Sequence, residues 1–253
     1  MINIFRRIRQ QLAYDNKPVK YFRYAIGEIV LVVIGILIAL SINNWNNKRI
    51  KENNAESLSI RLLTETKKNK KQLEYQIKRV KELQKETGSL LTMFGPKFET
   101  KNSKLLDSLL YGIISTPLYE YNSATLDEAL NTGQISILQS DSLRTLLYDI
   151  PLNVIRIKNY EEDLIRDNER NLFPYLYKEI SMRQMDDRFS EKLRSIGESQ
   201  LKHFDNRHIL SKKQFENMVD NKYFLLETLL MGYDELIVVF NKTTHSLEED
   251  LNK

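Results

Sequence analysis

The sequence predicts an all-α protein, with a single N-terminal transmembrane helix followed by an elongated antiparallel helical bundle. Three observations predict it. Residues Ala25 to Ile42 form one apolar run, AIGEIVLVVIGILIALSI, in which twelve of eighteen residues are Ile, Leu or Val. Eight glycines and five prolines in 253 residues are too few for a sheet protein with many turns. Beyond the run, apolar residues recur at helical spacing through three long segments.

Each Ile, Leu or Val favours insertion by roughly 0.3 to 0.6 kcal/mol, so the run gains about 4 to 7 kcal/mol before penalties. Its one charge, Glu28, sits near an end, where the penalty is smaller than at mid-bilayer. Tyr21, Phe22 and Tyr24 flank it on one side and Trp45 on the other, as expected of aromatic residues in the two headgroup layers. From Tyr24 to Trp45 a helix rises about 31 Å, matching a hydrocarbon core of about 30 Å. Ala39 and Ser41 offer a small-x-small pattern to a signal peptidase. The run nevertheless exceeds the usual h-region and follows a 24-residue leader, so a retained anchor is expected.

Charge sets the expected orientation. Arg6, Arg7, Arg9, Lys17, Lys20 and Arg23 precede the run, opposed only by Asp15. Lys48, Arg49 and Lys51 after it are partly offset by Glu52 and Glu56. The bias places the N-terminus in the cytoplasm. The expected organisation is a basic cytoplasmic tail over 1–23, a transmembrane anchor over 24–44 and an extracytoplasmic, periplasmic helical domain over 45–253. The formal charge is +4, and residues 1–42 carry all of it. The 32 basic and 32 acidic residues beyond position 42 cancel, which excludes a phosphate-binding face and argues for no nucleic-acid partner. Membrane lipid is the expected partner of the basic tail. The chain has no cysteine, and so no disulfide, thiolate nucleophile or cysteine-ligated zinc.

Along the chain, INIFRRIRQQLAY over residues 2–14 places apolar residues on one helical face among arginines, as in a helix lying on an anionic leaflet. Pro18 marks a break before the anchor. Within the anchor, Glu28, Val32, Gly35, Ala39 and Asn43 recur at spacings of three or four. Gly35 and Ala39 make a small-xxx-small pair, so this stripe is the candidate helix–helix contact. Asparagines at 43, 44, 46 and 47 suggest a pause or bend. The helical pattern resumes over 48–94 with Leu58, Leu62, Leu73, Ile77, Val80, Leu83 and Leu90, weakened by Thr66 and Asn69, and Gly95-Pro96 ends it. A shorter helix is expected over 104–114 with Ser103 as cap. Thr125 and Glu128 then suggest a capping box, and Gly133 a left-handed stop. Ile135, Ile137 and Leu138 read as an apolar plug. Ser140 or Asp141 caps the next long segment, which Pro151 should kink, and Pro174 marks another bend. Residues 185–210 are less regular. Ser211 and Gln214 suggest a second capping box before a closing segment to about Asp250.

The stretch YFRYAIGEIVLVVIGILIALSINNWNNKR, residues 21–49, resembles a family of uncharacterised bacterial single-pass membrane proteins. FRRIRQ at 5–10, TLDEALNTGQISIL at 125–138 and the DSLR that follows fit it too. The resemblance implies a Gram-negative inner-membrane location and no chemistry.

His203, Asp205 and His208 in HFDNRH are the best metal candidates, but their spacing is not the i,i+4 pair of a helical site. No phosphate loop, GxSxG elbow or HExxH is present. Asp186-Asp187 and Glu248-Glu249-Asp250 read as solvated acidic faces. Tyr119, Tyr121, Tyr175 and Tyr177 read as packing residues whose hydroxyls reach water. No catalytic residue, cofactor or metal is therefore expected. The expectation is a non-enzymatic, membrane-anchored scaffold of the cell envelope that binds another envelope protein or itself. The alternative is an extracytoplasmic sensor. Its 23-residue cytoplasmic tail is too short for a folded effector, so it would signal through a partner helix at Glu28, Gly35 and Ala39.

Overall fold

A computed structural model describes Arg7, residues 18–189 and residues 204–252. Among them every regular element is helical: α1 (Pro18–Leu91), α2 (Ser103–Ile113), α3 (Ala124–Asn131), α4 (Asp141–Asp167), α5 (Phe173–Glu179), α6 (Met182–Phe189) and α7 (Lys213–Leu251). Short 3-10 turns occupy Phe98–Thr100, Gln134–Ile137 and Asn206–Ser211, and a π-helical turn spans Asn168–Leu172. The chain divides into two compact units, Met1–Ser57 and Leu58–Lys253.

The first unit holds the apolar part of α1. It is the one helix among the described residues long and apolar enough to cross a membrane, and none of its most apolar window is buried within the chain. The bend expected at the asparagines does not occur, because helical hydrogen bonding continues through residues 43–47. Asparagine's local preference is worth only a few tenths of a kcal/mol per residue, too little to stop a helix that strong helix formers propagate on both sides.

In the second unit the heptad is explicit. Buried α1 residues fall at 59, 62, 66, 69, 73, 76, 80, 83, 87 and 90, alternating steps of three and four, with Leu58 buried beside the first. In α7 the same alternation runs through 215, 219, 222, 226, 229, 233, 236, 240, 243 and 247, with Leu230 and Gly232 buried beside it. In α4 the buried positions are 143, 147, 150, 157, 161 and 164. This is the 3.5-residue repeat of knobs-into-holes packing. Leu62, Leu73 and Val80 of α1 share one core with Leu147, Ile157 and Leu164 of α4 and with Leu226, Tyr233 and Phe240 of α7. Each such side chain contributes about 1.5 to 3 kcal/mol on burial. Arg156 pairs with Glu235, Glu161 with Tyr233 and Asn168 with Lys222, so α4 and α7 run antiparallel. A second core joins Leu90 with Leu106, Leu110, Leu176, Ile209 and Phe215.

The helix ends follow the expected chemistry only in part. Gly133 adopts φ +73° and Ser140 accepts from the Leu143 amide, both as expected. Ile135 and Leu138 are buried as the plug. Helix α4 continues through Pro151. The cap of α2 is Asn102, one residue before Ser103, and its Oδ1 accepts from the Leu105 amide at 3.2 Å. Neither capping box forms. Helix α3 starts at Ala124, which puts Thr125 inside it. Helix α7 starts at Lys213, and the Ser211 hydroxyl donates to the His208 carbonyl.

Candidate functional site

The stripe on the apolar part of α1 is exposed along most of its length. Val32 is 54% exposed, Gly35, Ala39 and Asn43 are exposed, and Glu28 is half-buried. A methyl group added at Gly35 would meet nothing within 4 Å. Phe22 and Trp45 are exposed, and the Arg49 guanidinium lies 5.4 Å from the centre of the Trp45 ring. Such a cation–aromatic pair suits a headgroup layer, where the ring is half solvated and the charge meets phosphate. Arg7 is exposed. Arg6 and Arg9 lie outside the described residues, as do most of the expected basic helix and the side chains of Tyr21 and Tyr24.

In the second unit, polar side chains of α1 and α4 converge on the irregular segment 116–123. Glu161 of α4 is 2% exposed. Its Oε1 accepts from the Tyr119 amide at 2.6 Å and the Tyr233 hydroxyl at 3.0 Å, and its Oε2 accepts from Lys158 at 2.7 Å. Lys158 also donates to the Tyr119 carbonyl. Tyr119 is fully buried, and its hydroxyl donates inward to the Asn69 carbonyl rather than reaching water. Burial raises the Tyr119 and Tyr233 hydroxyls above the usual tyrosine range, so both stay neutral donors. Asn69 meets the backbone of Asn122 twice, donating at 2.6 Å and accepting at 3.0 Å, as a neighbouring strand would. Glu65 then accepts from the Thr125 and Leu126 amides at 2.6 and 3.0 Å. A carboxylate from another helix thus satisfies orphan amides at the start of α3, where the helix dipole favours negative charge.

A second buried centre lies at the π turn. Lys222 is 1% exposed and donates to the Asn168 side chain at 3.0 Å and the Ser115 carbonyl at 3.2 Å. Asn168 donates to the Thr116 hydroxyl. Burial pulls the ammonium down to about 8, with Asp167 opposing the shift. Asn206 similarly bridges the Ser181 amide to buried Asp107. Chemically these groups fix backbone segments between helices.

Of the metal candidates, Asp205 and His208 are described. Asp205 grips Arg207 through both oxygens and His208 Nδ1 meets the Asp205 carbonyl, while His203 lies outside the described residues. Among the described residues no three potential ligands gather. Glu248 pairs with Lys67 at 2.7 Å and His245 with Glu249 at 3.3 Å. The side chains of Asp186 and Asp187 lie outside the description. An open cleft of about 800 Å³ is lined by Lys68, Lys71, Tyr75, Tyr121 and Asn122, among others.

Glu65, Glu161 and Lys222 escape a reading that looks for catalytic motifs. For Glu161 and Lys222 the signal is heptad position, since both fall on core steps of four and three, where an ionisable residue is out of place unless it specifies register.

An exposed apolar helix and a helical unit with a heptad-spaced core define an all-α protein with a candidate membrane span. The chain belongs to a family of unknown function, DUF6090, whose model matches residues 28–170. No curated protein and no solved structure matches it.

Proposed function

We propose that this chain is a non-enzymatic, membrane-anchored helical protein of the bacterial cell envelope that binds or scaffolds other envelope proteins. Residues 24–44 cross the inner membrane, 1–23 remain cytoplasmic, and 45–253 form an elongated antiparallel helical bundle in the periplasm. The observation that carries this reading is the bare helix at Ala25–Ile42. Ile29, Leu31 and Ile34 are each at least half exposed, and at about 25 cal/mol per Å² such a surface requires a lipid or protein cover. The lysine and arginine excess before the run supports the orientation. The stripe through Glu28, Val32, Gly35, Ala39 and Asn43 supports a helix partner. The buried Glu161 and Lys222 support a structural role for the domain's ionisable core, since both bond to backbone and bridging groups.

Photo-reactive residues placed along the anchor of the full chain in native membranes test this reading. A discrete protein adduct from positions 32, 35 and 39, absent from positions 30 and 37, is expected. Release of the protein by alkaline carbonate, or adducts indifferent to position, would overturn it. A second reading, an extracytoplasmic sensor, draws support from the cleft beside Tyr75 and Tyr121. It requires a small molecule that raises the melting temperature of the full chain and loses that effect in Tyr121→Ala.

A further inference from the structure

We propose that the cleft between α5 and the start of α7 binds a phosphate ester with an apolar body. The inference goes beyond the envelope-scaffold reading and does not depend on it.

The cleft is open, holds about 590 Å³ and lies within the second unit. That volume falls in the range of small-molecule sites, roughly 300 to 1,000 Å³. One wall is the face of the π turn and α5 that carries Arg170, Pro174 and Lys178 at steps of four. The other is the turn from Ser211 into α7, which brings Lys212 and Lys213. Tyr175 pins the walls together, its ring stacked on buried Phe215 with centroids 6.1 Å apart and planes 8° from parallel.

Charge defines the head group. Arg170, Lys178, Lys212 and Lys213 face a single carboxylate on the lining, Glu179. None of the four cations is paired with a carboxylate among the described residues, whereas Arg61, Lys67, Arg156 and Arg207 each meet one. Like charges gathered round a cleft repel, and an anion seated among them relieves that repulsion. The charge balance beyond position 42 argues against a phosphate-binding face, but it is a sum over the chain, and here the local count is four to one.

Backbone donors add to the cations. No side chain caps α7, and the amides of Lys213 and Gln214 meet no acceptor among the described residues. Free amides at a helix start direct N–H donors at an anion, and these two belong to residues of the same lining. A phosphate group has three terminal oxygens to share between both walls, one more than a carboxylate.

The rest of the lining defines the body. Pro174, Tyr175 and Met218 supply its apolar part, and Tyr175 and Met218 are half-buried. Burial, with Glu179 nearby, raises the Tyr175 hydroxyl, so it stays a neutral donor. Inorganic phosphate leaves this surface bare, while an ester covers it with carbon. A soluble metabolite and a lipid headgroup both present this chemistry.

Phenyl phosphate is the probe, titrated calorimetrically into the full chain in phosphatidylcholine nanodiscs. One molecule should bind per chain, and inorganic phosphate should bind about fivefold more weakly because it lacks the ring. Lys212→Gln with Lys213→Gln should weaken phenyl phosphate by about tenfold or more, with an unchanged helical spectrum and melting temperature. Arg170→Gln with Lys178→Gln should do the same from the other wall, so the site is tested even where one pair harms folding. Lys68→Gln with Lys71→Gln removes the same charge from the cleft beside Tyr75 and should bind as the parent does. Phosphatidic acid mixed into the nanodisc separates the two sources. Weaker phenyl phosphate binding than in phosphatidylserine nanodiscs of equal charge assigns the site to a lipid headgroup, and equal binding assigns it to a soluble ester. No saturable binding of phenyl phosphate, inorganic phosphate bound as tightly, full affinity in both cleft pairs, or an equal loss in the Lys68 and Lys71 pair would each overturn the proposal. None of these results bears on adducts from anchor positions 32, 35 and 39, so the scaffold reading stands or falls separately.

Discussion

Replacing Glu161 separates two accounts of the buried clamp, because its two oxygens have different work. Oε1 holds two donors that have nowhere else to go, the Tyr119 amide and the Tyr233 hydroxyl. Oε2 holds Lys158, which is 44% exposed and can return to water. Glu161→Ala orphans both buried donors at about 2 kcal/mol each, within the 1 to 3 usual for such a group. The lost methylene adds roughly 0.8 kcal/mol, for a total of about 5. Glu161→Gln keeps a carbonyl at the Oε1 position and only downgrades two charge-assisted bonds to neutral ones, costing about 2 kcal/mol. Removing the Tyr233 hydroxyl should destabilise the parent by about 2 kcal/mol but relieve the alanine variant by about 1 to 2, because it deletes one of the orphans. Urea unfolding of the full chain in detergent, followed by the near-ultraviolet tyrosine signal, reads the parent and all four variants. Alanine and glutamine variants within about 1 kcal/mol of each other, or no sign change for Tyr233→Phe, would refute the clamp.

Three further outcomes follow from the same geometry. The folded state holds Lys222 near 8 against about 10.4 when unfolded, so the unfolded chain binds more protons between those values. Stability should therefore rise from about pH 8 towards 10 by up to about 3 kcal/mol, before the raised tyrosines reverse the trend, and Lys222→Met should remove that rise in pH-dependent urea titrations. Glu65→Ala should cost about 1 to 2 kcal/mol and expose the Thr125 and Leu126 amides to hydrogen exchange, with other α3 amides less affected. Val33→Arg with Ile34→Arg should penalise insertion by about 5 to 7 kcal/mol and move the protein to the carbonate-soluble fraction.

Much of the fold is legible in the sequence because helical periodicity is a strong, local signal. The apolar run, the long amphipathic segments, Gly133 and the Ser140 cap all declare themselves within a few residues. The helix starts at Ala124 and Lys213 do not, because their boundaries depend on partners far away in the chain. Thr125 and Glu128 have capping-box chemistry, yet Glu65 serves α3 from sixty residues away while Glu128 turns to Arg61. Asn69 looks like a flaw in an apolar stripe, but it is the residue that receives Asn122. Local propensity says what a residue prefers alone, and the clamp is made of residues whose partners outweigh that preference.

The segment from Thr116 to Leu126 also sets an order of events. Its amides at Tyr119, Asn122, Thr125 and Leu126 are met by the side chains of Glu161, Asn69 and Glu65, and so by α4 and α1 together. A lone helix can form its own bonds in isolation, but the Tyr119 proton needs α4 and the other three need α1, so all four are met only once both helices are in place. They act as a latch that closes last and opens first, and solvent deuterium entering there would announce loosening of the domain while its helices remain wound.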